Sequence, residues 1–303
     1  MALRHLDGFK KYEASGNLAT RLARVYSNIL GGTSIAYAAG RYGTSGGFLL
    51  NSFTAAASFR LSPSSAGVTN FIHGFCIKKN GTGAVPLAYR TTAGATGLEF
   101  VSGAHKMHNV NKGDIGIDDG AWHHVEWIQY ASGTDALYVD GILVASQASQ
   151  AFGFLEWYSA SSMDSTPVNV YQISDWYVLD NTGTRNNARL GPDARIETLV
   201  PNADDATQQW AVVGAAAAFN VLDNVPETTG QYIASNSDNQ VAQVQFSNLT
   251  NITDVAGVQF SALAQNQDAG NLKQLTFVIG GTEVGSVWQP PTSIAQQVQR
   301  LDR

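Results

Sequence analysis

Gly120-Ala121-Trp122-His123-His124-Val125-Glu126-Trp127-Ile128-Gln129-Tyr130, then Ala131-Ser132-Gly133-Thr134-Asp135, then Ala136-Leu137-Tyr138-Val139-Asp140-Gly141-Ile142-Leu143-Val144-Ala145-Ser146, reads as short strands joined by tight connections. Asp140-Gly141 is the sharpest signal. A two-residue hairpin loop needs positive φ at both central positions, and Gly takes it at no steric cost. Flanking Leu137, Val139, Ile142 and Val144 are strand formers. In the first strand Val125 and Trp127 share one face while His124, Glu126 and Ile128 share the other, so one face is expected in a core and the other in water.

Outward from this stretch the same grammar repeats. Phe53, Ala55, Ala57, Phe59 and Leu61 alternate, and 71–78, 87–90 and 98–101 follow as further strands separated by Ala-Gly turns. Tyr171 to Val178 closes the series, with Tyr171, Ile173 and, one register on, Trp176 and Val178 supplying large side chains. Short strands at roughly ten-residue spacing predict an antiparallel sandwich. Leu18, Leu22, Val25 and Ile29 recur at helical spacing behind an Asn17 cap, which predicts the one substantial helix of the first half.

After Asn181-Thr182-Gly183 the character changes: strands recur at 231–234, 241–246, 255–264 and 272–279, and Pro290-Pro291 precedes a short polar tail, 294–301, open to helix. The organisation expected is a jelly roll over 1–190 and a smaller β domain over 191–303. Apart from Lys273, the later strands lack the Lys and Pro that guard an exposed edge, so association into a homo-oligomer or with a partner is expected.

Charged residues make up 14% of the 303, the net charge is −6, and Gly numbers 30, which favours turn-rich β structure and argues against nucleic acid as a partner. Cys76 is the single cysteine, set between Phe75 and Ile77, so a buried small side chain is expected and a multi-cysteine metal site is excluded. The longest apolar run, 211–219, falls short of the roughly 20 residues a membrane helix needs, and Arg4, His5 and Asp7 interrupt any leader-like apolar start.

Trp122-His123-His124-Val125 followed by Leu137-Tyr138-Val139-Asp140-Gly141 resembles the central hairpins of concanavalin A-like, laminin G-type jelly rolls. The fold class implied is all-β: a concanavalin A-like jelly-roll sandwich followed by a smaller β-sandwich domain. A second resemblance is distributed along the chain. Leu6-Asp7-Gly8-Phe9, the run Asp175-Trp176-Tyr177-Val178-Leu179-Asp180, Leu190-Gly191 and the stretch from Arg195 to Asp204 are similar to a group of tailed-bacteriophage virion proteins. That resemblance implies a non-enzymatic structural component of a virion, tail- or fibre-associated or a surface decoration, made in the host cytoplasm. It further implies a role in assembly or adhesion, with other virion proteins as partners.

Three side-chain groups are candidate sites. Asp114, Asp118 and Asp119 lie in a Gly-rich loop, where turns in which Asp bonds its own backbone are the first reading. Calcium is the ion such oxygens admit, and the laminin G-type resemblance implies it at a loop edge. No other cofactor is expected. His123 and His124 point to opposite faces and read as structural, and His105 and His108 lack an adjacent carboxylate pair for zinc. Trp157 and Tyr158, in a run with Phe152 and Phe154, are the aromatic candidates for stacking on a cell-surface glycan, the alternative function. Glu99, Glu126 and Glu156 are isolated from one another, which argues against glycoside hydrolysis and for a protein that is not an enzyme.

Overall fold

A computed structural model of the chain describes residues 3–302 apart from 13–17, 31–34, 43–45, 51–56, 63–66, 81–86, 93–94, 102, 160–170, 183–187, 224–227, 229, 250–251, 269–272, 280 and 294. Asn17, Phe53 and Ala55 fall outside the described residues. The first fifteen strands are β1 (Leu3–Asp7), β2 (Ser27–Leu30), β3 (Ile35–Ala39), β4 (Gly46–Leu50), β5 (Ala57–Leu61), β6 (Asn70–Lys79), β7 (Leu87–Thr92), β8 (Ala95–Phe100), β9 (His105–Met107), β10 (Val110–Gly113), β11 (Trp122–Tyr130), β12 (Thr134–Val139), β13 (Ile142–Ala148), β14 (Leu155–Ser159) and β15 (Tyr171–Asp180). They form two antiparallel sheets. One runs β13-β12-β11-β6-β15-β4-β3 with β1 also on β15, and the other runs β10-β9-β8-β7-β14-β5-β2.

The alternation of apolar residues decides which side chains meet between the sheets. Phe75, Ile77, Val125, Trp127, Leu137, Ile173, Trp176 and Val178 from the first sheet pack with Phe59, Tyr89, Leu98, Phe100, Leu155 and Trp157 from the second. The rings interlock edge to face, with Phe75 and Trp157 at 4.8 Å and 88° and Tyr89 and Trp176 at 5.9 Å and 90°. Between Ile173 and Trp176 the inward pattern skips a register because β15 bulges there, with Asp175 at φ 50°.

The helix is shorter than its periodicity suggested. Only Leu18–Leu22 is helical (α1), and Ile29 lies in β2, paired with β5. Leu22 is buried and Leu18, Val25 and Ile29 pack against the same core, so an apolar spacing that suits a helix here serves a turn and a strand. The stretch at Asp140-Gly141 is as expected: Val139 pairs with Ile142, and φ is 48° at Asp140 and 84° at Gly141. Gly141→Val should therefore cost more than about 1 kcal/mol through the disfavoured left-handed backbone. An unchanged unfolding midpoint in urea would remove this turn assignment.

The second face of β11 is not wet. His124 and Glu126 are buried, because the segment after β15 returns across the outside of the sheet. Leu190, Ala194 and Ile196 from this strap pack with Leu3, Ile72, Ile128, Tyr177 and Leu179 as a second, smaller core. Glu126 is its anchor. Its carboxylate accepts the Leu190 and Gly191 N–H groups at 2.8 and 3.2 Å, the Tyr177 hydroxyl at 2.9 Å and the Arg189 guanidinium at 3.1 Å. A buried carboxylate with four donors is satisfied rather than stranded.

Beyond the strap come β16 (Pro201–Gln208), β17 (Ala211–Val213), α2 (Phe219–Leu222), β18 (Tyr232–Ala234), β19 (Ala242–Phe246), β20 (Gly257–Ala264), β21 (Leu275–Ile279), β22 (Thr282–Trp288) and β23 (Ala295–Asp302). The tail expected as open to helix is thus a strand, pairing with β20 over its whole length. These strands form four two-stranded ladders: β16-β19, β17-β18, β20-β23 and β21-β22. Among the residues after 200 whose burial is described, only Pro201 and Ala218 are buried. No described helix is long and apolar enough to cross a membrane.

Candidate functional site

The acidic loop between β10 and β11 is built by alternation. Ile115 and Ile117 are anchored in the core, at 5% and 0% exposure, which leaves Asp114 and Asp118 on the opposite side of the chain. The β9–β10 hairpin, which turns at His108 and Asn109 with φ of 50° and 66°, pairs Gly113 with His105. Asp114 thereby arrives beside the His105 ring. One ligand atom from each of His105, Asp114 and Asp118 lies within 4.8 Å of the others, the one such group of three metal-ligating side chains among the described residues.

Each member is held differently. His105 is 2% exposed, and neither ring nitrogen has a hydrogen-bond partner; Nε2 stands 3.5 Å from Asp118 Oδ2, an ion-pair distance without hydrogen-bond geometry. Burial pushes its pKa below the ordinary value, although Asp118 and Asp114 pull the other way. Asp118 accepts the Tyr171 hydroxyl at 2.8 Å and the Gly103 N–H at 2.6 Å, and Lys79 Nζ lies 3.6 Å away. Burial alone would raise its pKa; the Tyr171 and Gly103 donors, with His105 and Lys79, hold it below the usual carboxylate value. Asp114 is exposed and accepts the Gly116 N–H at 2.7 Å.

Asp119, expected as a third ligand, belongs elsewhere. Its carboxylate accepts the Ala121 N–H at 2.7 Å and sits 2.9 Å from His123 Nε2, while Asp140 Oδ2 meets His123 Nδ1 at 2.7 Å. Partial burial opposes a charge on His123, but the two carboxylates outweigh it and raise its pKa. His108 is likewise committed, with Nε2 at 2.8 Å from the buried Asp135 carboxylate. The expectation that His105 lacks a carboxylate pair is thereby corrected: its proximity to Asp114 and Asp118 depends on hairpin register, and the turn at His108-Asn109 is the signal that could have given it.

The aromatic candidates separate. Trp157 points between the sheets at 0% exposure, tilted against Tyr89 at 4.6 Å and 37°, and offers no face for a sugar. That corrects its assignment: β14 alternates, and a ring on its inward side is core. Tyr158, next along the strand, is half-buried on the outward side with Glu156. Glu156 is held by Arg60 at 3.1 Å and Asn28 at 3.0 Å, and the Arg60 guanidinium lies 3.6 Å over the Phe154 ring. Glu99 pairs with Lys106 at 3.0 Å and Glu126 with Arg189, so each of the three glutamates is engaged by a cation of its own. Cys76 is fully buried and its thiol is pushed up to about 12 by burial.

Segments far apart in sequence converge on the strap. β1 pairs with β15, Asp175 Oδ1 accepts the Ile196 N–H at 3.0 Å, and a Cβ at Gly8 would meet Ile196 Cγ2 at 2.9 Å. Leu6 to Phe9, Asp175 to Asp180, Leu190-Gly191 and Ile196 thus specify how the jelly roll is closed on its outer face.

No protein-family model matches the sequence, and no curated protein matches it. Among solved structures, the chain is similar to the binding domain of Paraclostridial Mosquitocidal Protein 1, at 13% identity and TM-score 0.42 over 58% of this chain and 48% of that one. It is also similar to the botulinum neurotoxin serotype G binding domain, at 14% identity and TM-score 0.35 over 51% and 42%. A sialidase is matched at 15% identity and TM-score 0.33 over 45% and 15%. The chain spans less than half of each of these proteins. Likenesses at this level say nothing of what the chain binds.

Proposed function

We propose that the chain is a non-enzymatic adhesion and assembly protein, in which the jelly roll is a finished platform and the second half completes its packing against further copies of the chain or a partner. One observation carries this reading. Of the residues after 200 whose burial is described, only Pro201 and Ala218 are buried, while Leu222, Tyr232, Val241, Phe246, Val278 and Val287 are each more than a third exposed. Two-stranded ladders without a packed face are marginal alone, and apolar surface spread along them is the material of an interface. The finer reading, a component of a bacteriophage virion, is supported by the distributed sequence resemblance.

Recognition of a cell-surface glycan is a second reading, favoured by the outward face of β14. There Tyr158 stands two residues from Glu156, which is hydrogen-bonded by Arg60 and Asn28, and aromatic faces near polar groups suit sugars.

Light scattering on the full chain, with hydrogen exchange at several concentrations, tests the assembly role. The expected result is an oligomer whose amides in β16–β23 gain protection as concentration rises. A monomer at all concentrations, with those amides unchanged when other particle proteins are added, would sink it. Glycan binding by such a monomer, lost in Tyr158→Ala, would establish the second reading instead.

A further inference from the structure

We propose that His105, Asp114 and Asp118 form a site for one divalent cation of the zinc class, with water completing its coordination. The observation that carries the proposal is the state of His105. Each of the six histidines of the chain is described, and five have at least one ring nitrogen in hydrogen-bond contact: His5 with Tyr26, His73 with Gln129 and Tyr89, His108 with Asp135, His123 with Asp119 and Asp140, and His124 with Tyr177. His105 has neither nitrogen bonded, although it is 2% exposed. A buried polar atom left without a partner is costly, and here two such atoms lie on a ring that has two carboxylates within 4.8 Å of a nitrogen.

The donor set selects the ion. Calcium takes six to eight oxygens, whereas an imidazole nitrogen with two carboxylates suits zinc, whose open sites use three protein ligands and water. Tetrahedral bonds of about 2.0 Å place ligand atoms roughly 3.3 Å apart. His105 Nε2 and Asp118 Oδ2 already stand at 3.5 Å, and the whole set lies within 4.8 Å. The remaining closure falls to Asp114, exposed and free to turn about its side chain once the Gly116 N–H is exchanged for the ion. The Tyr171 hydroxyl and Gly103 N–H orient Asp118, as outer partners orient metal-binding carboxylates. Lys79, 3.6 Å from Asp118 Oδ2, competes for the same charge and weakens the site relative to one without an ammonium. A bound ion would tie the β9 end of one sheet to the acidic loop and, through Asp118 and Tyr171, to β15 of the other.

Calorimetric titration of the metal-stripped full chain with Zn2+ tests this, with Co2+ as a spectroscopic probe. The expected result is one ion per chain, a raised Tm, visible Co2+ bands of four-coordinate character, and at least about tenfold weaker binding in Asp114→Asn, whose exposed position leaves the fold intact. His123→Gln should bind as the parent does. Absence of Zn2+ binding by the folded chain would overturn the proposal, as would binding that survives Asp114→Asn or is lost in His123→Gln. Ca2+ bound more tightly than Zn2+ would overturn the class of ion.

Discussion

Gly74→Ala is expected to destabilise the jelly roll by about 3 kcal/mol or more, as overpacking of a rigid site does. A Cβ at Gly74 would stand 1.9 Å from Tyr177 Cζ and 2.3 Å from two further ring carbons. The ring cannot step aside cheaply. Tyr177 is 2% exposed, its hydroxyl is bonded to Glu126 and lies 3.2 Å from His124 Nε2, and Glu126 in turn holds the strap. Displacement of the ring therefore loosens a second layer as well as the sheet. In a chain of this size such a loss lowers Tm by roughly 5 °C. Gly67→Ala is the control, since Gly67 has φ 74° and open space around it, and should cost only about 1 to 2 kcal/mol. Equal Tm values for the two variants would remove the Gly74–Tyr177 contact.

Acid is expected to weaken the fold well above the pH at which carboxylates titrate. Burial lowers His73 to about 3 and His124 to about 4, and both are essentially unexposed. In each case the folded value lies below the unfolded one of about 6.5, so the unfolded chain binds more protons between those values. The stabilisation is present above pH 6.5 and is lost as pH falls toward 4, at up to about 1.4 kcal/mol per pH unit for each ring. Together they cost on the order of 5 kcal/mol across that interval. His123 does not offset this: its pKa is raised, so its contribution is complete below 6.5 and disappears as pH rises above that value. The lowered Asp7 and Asp118 act only below about 3.8. Urea midpoints measured from pH 7 to 4 check the expectation, and His124→Gln should remove about one proton from the slope. A flat profile over that range would refute the buried, neutral state of both rings.

The sheet core was legible because its signals are local. Alternation at Phe75 and Ile77, Val125 and Trp127, and even the skipped register between Ile173 and Trp176, can be read one strand at a time, and the turn at Asp140-Gly141 announces itself in two residues. What alternation cannot tell is which of two apolar-compatible faces is core. Trp157 and Tyr158 differ by one position and by the whole thickness of a sheet, and either could have been the exposed ring. Glu126 was hidden for another reason. A charged residue on a strand ordinarily marks a wet face, and its donors come from Tyr177 of β15 and from the strap, some fifty to sixty-five residues later in the chain. The same limit applies to the metal-ligating cluster, where Asp114 and Asp118 were visible as oxygens but His105 joins them through pairing across a hairpin.

The position of β15 has a bearing on how the protein is made. The strand closest to the end of the jelly roll in sequence lies inside its sheet, paired with β6 on one side and with β4 and β1 on the other. Leu3 meets Leu179 only after the intervening chain has been synthesised, which at ribosomal speed takes on the order of ten seconds or more. During that wait β4 and β6 hold open backbone edges, and the loop to be closed is among the longest in the fold, which places this domain with the slow folders of high contact order. The sheet is therefore completed by a late insertion, and a ribosome paused before residue 180 carries a half-built sheet whose two free edges face each other across a missing strand.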